Sequence, residues 1–199
     1  GEDIHTRTAS QVFNISKEEV TPLMRNRAKA VNFGIIYGIS DYGLSRDLNI
    51  PRKEAKKYID SYLNNYEKVK RYMEDIVIIG KELGYVETIM NRRRYVPELK
   101  AKNFNVRSFG ERVAMNTPIQ GSAADIIKVA MVKVFNELRR KNLKARLILQ
   151  VHDELIIEAH KEEVDQVKEL VKDIMENCIE LDVPLKVDIK VGDSWYEAK

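Results

Sequence analysis

Arg25, Lys29, Phe33 and Tyr37 recur every fourth residue in the stretch R-N-R-A-K-A-V-N-F-G-I-I-Y-G. A helix advances 3.6 residues per turn, so these four fall on one slowly drifting stripe, about 18 Å long at about 1.5 Å per residue. Two cations are followed by two aromatic rings. That order suits a nucleotide, with charge for the phosphates and flat rings for the sugar and base. Spacing alone equally permits an amphipathic helix with snorkelling cations at one end and buried aromatics at the other.

A second candidate is His152-Asp153-Glu154, set between the apolar runs Leu147–Val151 and Leu155–Ile157. Acidic residues are depleted in strands but favoured in turns, so a turn acid bonding its own backbone is one reading. The other is a hard-metal site. Carboxylates on a rigid hairpin hold Mg²⁺, which keeps waters and substrate phosphate oxygens in its shell. Two-metal phosphoryl transfer needs several carboxylates. Asp153 and Glu154 are neighbours that point to opposite faces along a strand, so they do not suffice alone.

The third candidate is Asn116-Thr-Pro-Ile-Gln120-Gly121-Ser-Ala-Ala-Asp125. Amides donate to the minor-groove acceptors that every base pair offers, which checks shape rather than sequence. A polar kink in a long helix is the alternative.

The elements that must position these residues follow from periodicity. Residues 2–13 are expected to be helical, with Ile4, Thr8 and Val12 at spacing four. Ser16 and Glu19 resemble a capping box, and Pro22 suits an early helical turn. The central helix runs to about Tyr37, with Ala28, Val31, Ile35 and Ile39 as its apolar stripe. Gly38, Ser40 and Gly43 then interrupt the period. A short helix around 44–48, one opened by Pro51, and one from Glu67 to Leu83 ended by Gly84 come next. Tyr85–Ile89 and Arg94–Val96 predict a hairpin with arginines near its tip. From Val106 to about Asn142 the pattern is helical again, and Pro118 with Gly121 should bend or split it. Arg146–Val151 and Glu154–Glu158 predict two strands. A helix over 161–181 and a last alternating strand over 185–191 complete the chain.

The fold class is therefore α+β: residues 1–118 mainly helical with a short hairpin near 85–96, residues 119–199 a unit with a mostly antiparallel sheet. The chain has 199 residues, and no low-complexity or collagen-like bias. No apolar run approaches 18 residues, so no membrane partner is expected, and the first residues carry no signal-peptide pattern. The one cysteine, Cys178, forms no internal disulfide, reads as a small core residue and fits a cytoplasmic setting. The net charge of +3 hides an asymmetry: residues 151–199 carry 6 basic and 14 acidic groups, and the remaining 150 carry 28 basic and 17 acidic groups. A polyanionic partner suits the basic part, and the run Arg92-Arg93-Arg94 suits phosphates.

Together, in order and spacing, these motifs resemble family A DNA polymerases, the bacterial DNA polymerase I family. Arg25…Lys29…Phe33…Tyr37-Gly38 resembles its fingers helix, His152-Asp153-Glu154 its palm metal motif, and Asn116…Gln120-Gly121 its template-primer helix. The resemblance runs from Asp3-Ile-His5-Thr to Trp195. It implies a right-hand fold in which 1–118 is the fingers subdomain and 119–199 the C-terminal part of the palm. It implies DNA-directed DNA polymerase activity, a nucleotidyltransferase reaction supported by two Mg²⁺ ions. His5, Arg25, Lys29, Phe33 and Tyr37 would bind the dNTP, with Lys29 also assisting the leaving pyrophosphate. Arg112, Asn116, Gln120 and His152 would contact the DNA primer-template. Asp153 would hold the metals, with Glu154 in support. Phe33 has no hydroxyl for the sugar's 3′ region, which implies discrimination against dideoxynucleotides.

The resemblance also implies a shortfall. The family's first metal-binding aspartate lies on a palm strand before the Asp-Ile-His segment, and Asp3 belongs to the helix start instead. The chain alone is therefore expected to be inactive, with an upstream palm and thumb segment as its partner. Its sheet should lack the first palm strands and leave an edge or apolar face open. The rival reading is a non-catalytic nucleic-acid-binding module, indifferent to dNTP and Mg²⁺.

Overall fold

The computed structural model describes residues 3–198, and the chain divides into two units, 1–119 and 120–199. The first opens with α1 (Ile4–Phe13), whose N-cap is Asp3. Glu2, the first residue of the expected helix, lies outside the described residues. Ser16 and Glu19 form the expected capping box, with Glu19 accepting from the Ser16 amide at 2.9 Å, but it opens only a 3₁₀ turn at Lys17–Glu19. Thr21 caps the central helix, α2 (Pro22–Ile36), by accepting from the Met24 amide at 3.2 Å, and Pro22 sits at its first position.

Then come α3 (Asp41–Leu48), α4 (Arg52–Asn65) and α5 (Glu67–Leu83). Gly84 ends α5 with φ +81°, the left-handed backbone that favours glycine. Val31 and Ile35 of α2 are buried with Leu44, Ala55, Tyr58 and Tyr62. The expected apolar stripe therefore packs α2 onto α3 and α4, with Ile39 at its margin.

The hairpin forms from β1 (Tyr85–Glu87) and β2 (Arg93–Tyr95), antiparallel, with Glu87 opposite Arg93. Its strands do not reach Ile89 or Val96, the expected limits. Val86, Val96, Leu99 and Ala114 make a second small core beneath the hairpin. The helix α6 (Phe104–Arg140) runs through both units, with Pro118 inside it. The expectation of a split is not met. Proline removes one rung of the ladder, and the flanking turns keep theirs.

In the second unit β3 (Arg146–Val151) pairs antiparallel with β4 (Glu154–Glu158), at the bounds expected from the apolar runs. A bulge lies between Leu147 and Leu149. The last helix, α7 (Val164–Glu176), buries Val167, Leu170 and Val171 against Val134 and Leu138 of α6. It stops five residues short of the expected end, where Asn177 turns its side-chain amide back to the Asp173 carbonyl at 3.0 Å. Cys178 thus lies beyond the helix but is buried as expected. The expected strand over 185–191 is absent among the described residues. Alternation alone makes no strand: a ladder needs a hydrogen-bonded partner, and each described sheet has two strands, neither of them this segment. No helix among the described residues is long and apolar enough to cross a membrane.

Candidate functional site

The α2 stripe faces outward. Ala28, Val31, Asn32 and Ile35 are buried, and Phe33 and Tyr37 stay 46% and 43% exposed. That contradicts the reading of buried aromatics behind snorkelling cations. The two rings stack, with centroids 6.4 Å apart and planes 19° from parallel. Leaving nearly half of each ring in water forgoes burial worth about 1 kcal/mol each.

Around the stripe the first unit gathers the other predicted residues. Asp3 caps α1 by accepting from the His5 amide at 3.0 Å and the Thr6 hydroxyl at 2.9 Å. Its second oxygen also takes Nε of Arg25 at 2.5 Å. The Arg25 guanidinium, then the Thr6 hydroxyl, hold the Asp3 carboxyl well below the usual carboxylate range. Arg25 is thereby fixed at the cationic end of the stripe. Lys29 is exposed, and no described residue pairs with its ammonium. The His5 ring lies 5.8 Å from the Phe33 ring, and its Nδ1 lies 3.0 Å from Nδ2 of Asn32.

The far end of α2 is seated on α6. Gly38 follows with φ +69°, and a Cβ there would fall 2.7 Å from Met115 Cε and 2.9 Å from Arg112 Cγ. Only glycine suits both the backbone and the approach. Asn116 donates to the Tyr37 carbonyl at 3.5 Å. Arg112 is exposed, with its guanidinium 6.0 Å from the centroid of Phe109 and donating to Ser108 at 3.4 Å. The first unit thus brings together His5, Arg25, Lys29, Phe33 and Tyr37, with Arg112 and Asn116 at the Tyr37 end. The arginine run is partly engaged elsewhere. Arg93 donates to Glu87 at 2.8 Å and lies 4.5 Å over Tyr85, and Arg94 donates to Thr117 at 3.3 Å.

In the second unit Gln120 is exposed on α6, and His152, Asp153 and Glu154 are exposed at the β3–β4 tip. His152 and Asp153 form a two-residue connection between the Val151–Glu154 pair. His152 adopts φ +52°, unusual for a residue with a side chain, and its carbonyl accepts from Gln150 Nε2 at 2.6 Å. A two-residue hairpin connection takes left-handed backbone at its first residue, so the turn accounts for this φ and sets Asp153 at the tip. Among the described residues no group of three or more His, Cys, Asp or Glu is placed to hold a metal ion. The Asp153 carboxylate is a hard oxygen donor in the open, suited to Mg²⁺, but the described residues do not complete a two-metal site.

Sequence reasoning missed Asn32 and the partnership of Asp3 with Arg25. Asn32 had a signal: it falls four residues after Ala28, where the helical period demands burial. The Asp3–Arg25 pair spans 22 positions and had none.

A family model described as DNA polymerase family A matches residues 1–197. The chain is 63% identical over 197 residues to DNA polymerase I of Bacillus subtilis (strain 168), covering 99% of this chain and 22% of that protein. It is 58% identical over 199 residues to DNA polymerase I of Geobacillus stearothermophilus, covering 100% and 23%. A solved structure, the POL domain of Pol1 from M. smegmatis in complex with DNA primer-template and dNTP, matches with a TM-score of 0.95 and 45% identity. That match covers 100% of this chain and 35% of the solved one. The chain thus spans under a quarter of the length of these curated relatives.

Proposed function

The chain belongs to DNA polymerase family A, and on that premise we propose that it serves template-directed addition of dNTPs to a primer 3′ end. The observation that carries this reading is the exposed stripe on α2: two cations, then two stacked rings, on a helix whose other face is buried. Arg25 and Lys29 take the triphosphate, and His5 reaches a phosphate from α1. Phe33 packs against the deoxyribose and Tyr37 against the nascent pair. Arg112, Asn116, Gln120 and His152 contact the primer-template, with the polar groups of Asn116 and Gln120 serving shape rather than sequence.

In the reaction the primer 3′-hydroxyl releases its proton to water as its oxygen bonds to the α-phosphorus, and the bond from that phosphorus to the α–β bridging oxygen breaks. Negative charge grows on the departing pyrophosphate. Cations already aimed there lower the barrier without reorganising, which is the task of Arg25 and Lys29. Lys29 also supplies a proton donor beside the leaving group. Mg²⁺ is the cofactor of this reading, with two ions in the complete enzyme. Asp153 would hold the metal with Glu154 in support, and the remaining carboxylate would come from an upstream palm segment. That segment and a thumb are the protein partner, residues 1–118 act as fingers and 119–199 as the rest of the palm. The setting is cytoplasmic.

The test is replacement. Substituted for the matching segment of the Bacillus subtilis relative, this chain should support primer extension with Mg²⁺ and dNTPs. The same protein with Asp153→Ala should show none, and Lys29→Ala should slow extension by about 100-fold or more, the scale on which removal of one charge-stabilising donor acts. The chain by itself should not extend a primer. Robust extension by the chain alone, or an unaffected Asp153→Ala protein, rules the reading out.

A further inference from the structure

Asn32 is 5% exposed, on the buried side of α2. Its Nδ2 lies 3.0 Å from Nδ1 of His5, and its Oδ1 is buried with no hydrogen-bond partner. A buried unpaired carboxamide oxygen is uncommon in a folded protein and calls for an explanation. Turning the amide over would place its NH₂ where Oδ1 now stands, leaving two unpaired donors in place of one unpaired acceptor and one unpaired N–H. Buried donors without partners are the rarer defect, so the orientation with Nδ2 toward His5 is the one favoured.

That orientation decides the chemistry of the histidine. An amide N–H donating to Nδ1 requires a lone pair there, so neutral His5 carries its proton on Nε2. The rest of the imidazole is held as well. Asp3 takes the His5 backbone amide at 3.0 Å, and the Phe33 ring stands 5.8 Å from the imidazole. Nε2 is the ring atom left to act. With its hydrogen in place it donates to a phosphate oxygen. In the other tautomer it would turn a lone pair toward that oxygen and repel it.

We propose that Asn32 is a positioning residue for nucleotide binding: it fixes His5 as the Nε2–H tautomer, so that the imidazole meets a triphosphate as a hydrogen-bond donor. This rests on the phosphate contact assigned to His5 above. It accounts for a polar residue in the buried face of α2.

The experiment reads the tautomer directly. Long-range ¹H–¹⁵N correlation spectra of the replaced Bacillus subtilis enzyme, ¹⁵N-labelled at histidine, distinguish Nδ1–H from Nε2–H in neutral imidazoles, and the signal lost in His5→Phe is that of His5. The wild type should show His5 as Nε2–H, and Asn32→Leu should show a mixture. Asn32→Asp keeps the side-chain shape if the leucine variant folds poorly. An acidic acceptor there should convert His5 to Nδ1–H. In the replaced Bacillus subtilis enzyme, His5→Phe should raise KM for dNTP about tenfold with kcat nearly unchanged, the signature of a lost charge-assisted hydrogen bond to bound substrate. Asn32→Leu should raise KM by the inverse of the Nε2–H fraction that its spectrum shows, about twofold for an even mixture, and add nothing on top of His5→Phe. An unchanged KM in His5→Phe overturns the phosphate contact itself. A wild-type Nδ1–H tautomer, or additive effects of the two substitutions, overturns the role of Asn32 and leaves that contact standing.

Discussion

Asp3 performs two tasks with one carboxylate. Its oxygens cap α1 and hold Arg25, so the end of one helix fixes the working cation of another. The pair is well exposed, and exposed pairs contribute little to stability on average. The pH dependence nonetheless has a definite sign. Arg25 lowers the Asp3 carboxyl below its unfolded value of about 3.9, so the folded state favours the ionised form. The contribution is present above that value and is lost as pH falls through the lower folded value. Asp3→Asn should therefore melt below the wild type at neutral pH, and the gap should close as both are taken below about pH 4. Thermal melts of the two proteins across that range check it, and a gap that widens in acid contradicts the pairing.

Gly38 shows how an element end can be set by a neighbour. The chain leaves α2 in left-handed backbone and at once passes against α6, so the direction of Tyr37 depends on a residue without a Cβ. Gly84 has the same sign of φ, but a Cβ added there would meet nothing within 4 Å, which isolates the backbone part of the effect. Gly84→Ala should cost only the left-handed penalty, about 1 kcal/mol. Gly38→Ala should cost more, about 2–3 kcal/mol, because Met115 and Arg112 must also shift. Denaturant melts of both variants compare them, and equal losses would leave the close approach without energetic weight. The same scale explains what the sequence disclosed. The bounds of β3 and β4 were legible because two apolar runs flank a two-residue turn. The α2 stripe was legible because i, i+4 spacing is local. Contacts between distant positions were not: Asn32 meets His5 across 27 positions, and the segment over 185–191 alternates like a strand but has no described partner. The split allowed for at Pro118 is missing for a related reason, since its local penalty is outweighed by the packing of α6 on either side, through Ala114 and Val134.

The β3–β4 ribbon of the second unit leaves apolar side chains open. A two-stranded ribbon is marginal by itself. This one rests Leu155 and Ile157 against the core of α6 and α7, and leaves Ile148 58% and Leu149 45% exposed on β3. Val183, Val191 and Tyr196 add exposed apolar groups in the segment that forms no strand. Apolar side chains left open on a strand either meet a partner or favour association. If the upstream palm segment of the proposed enzyme covers it, the chain alone should bind a hydrophobic-surface dye and self-associate at micromolar concentration. Ile148→Lys with Leu149→Thr should reduce both effects while leaving the melting temperature within about 2–4 °C, because neither side chain is in the core. In the replaced Bacillus subtilis enzyme the dye signal from this face should be absent, and the same pair of substitutions should weaken primer extension by disturbing the joint. Dye binding and sedimentation of the four proteins decide it. A monomeric chain without dye binding, or a substituted enzyme of unchanged activity, would mean that the open face of β3 is a solvated surface and the palm is completed elsewhere.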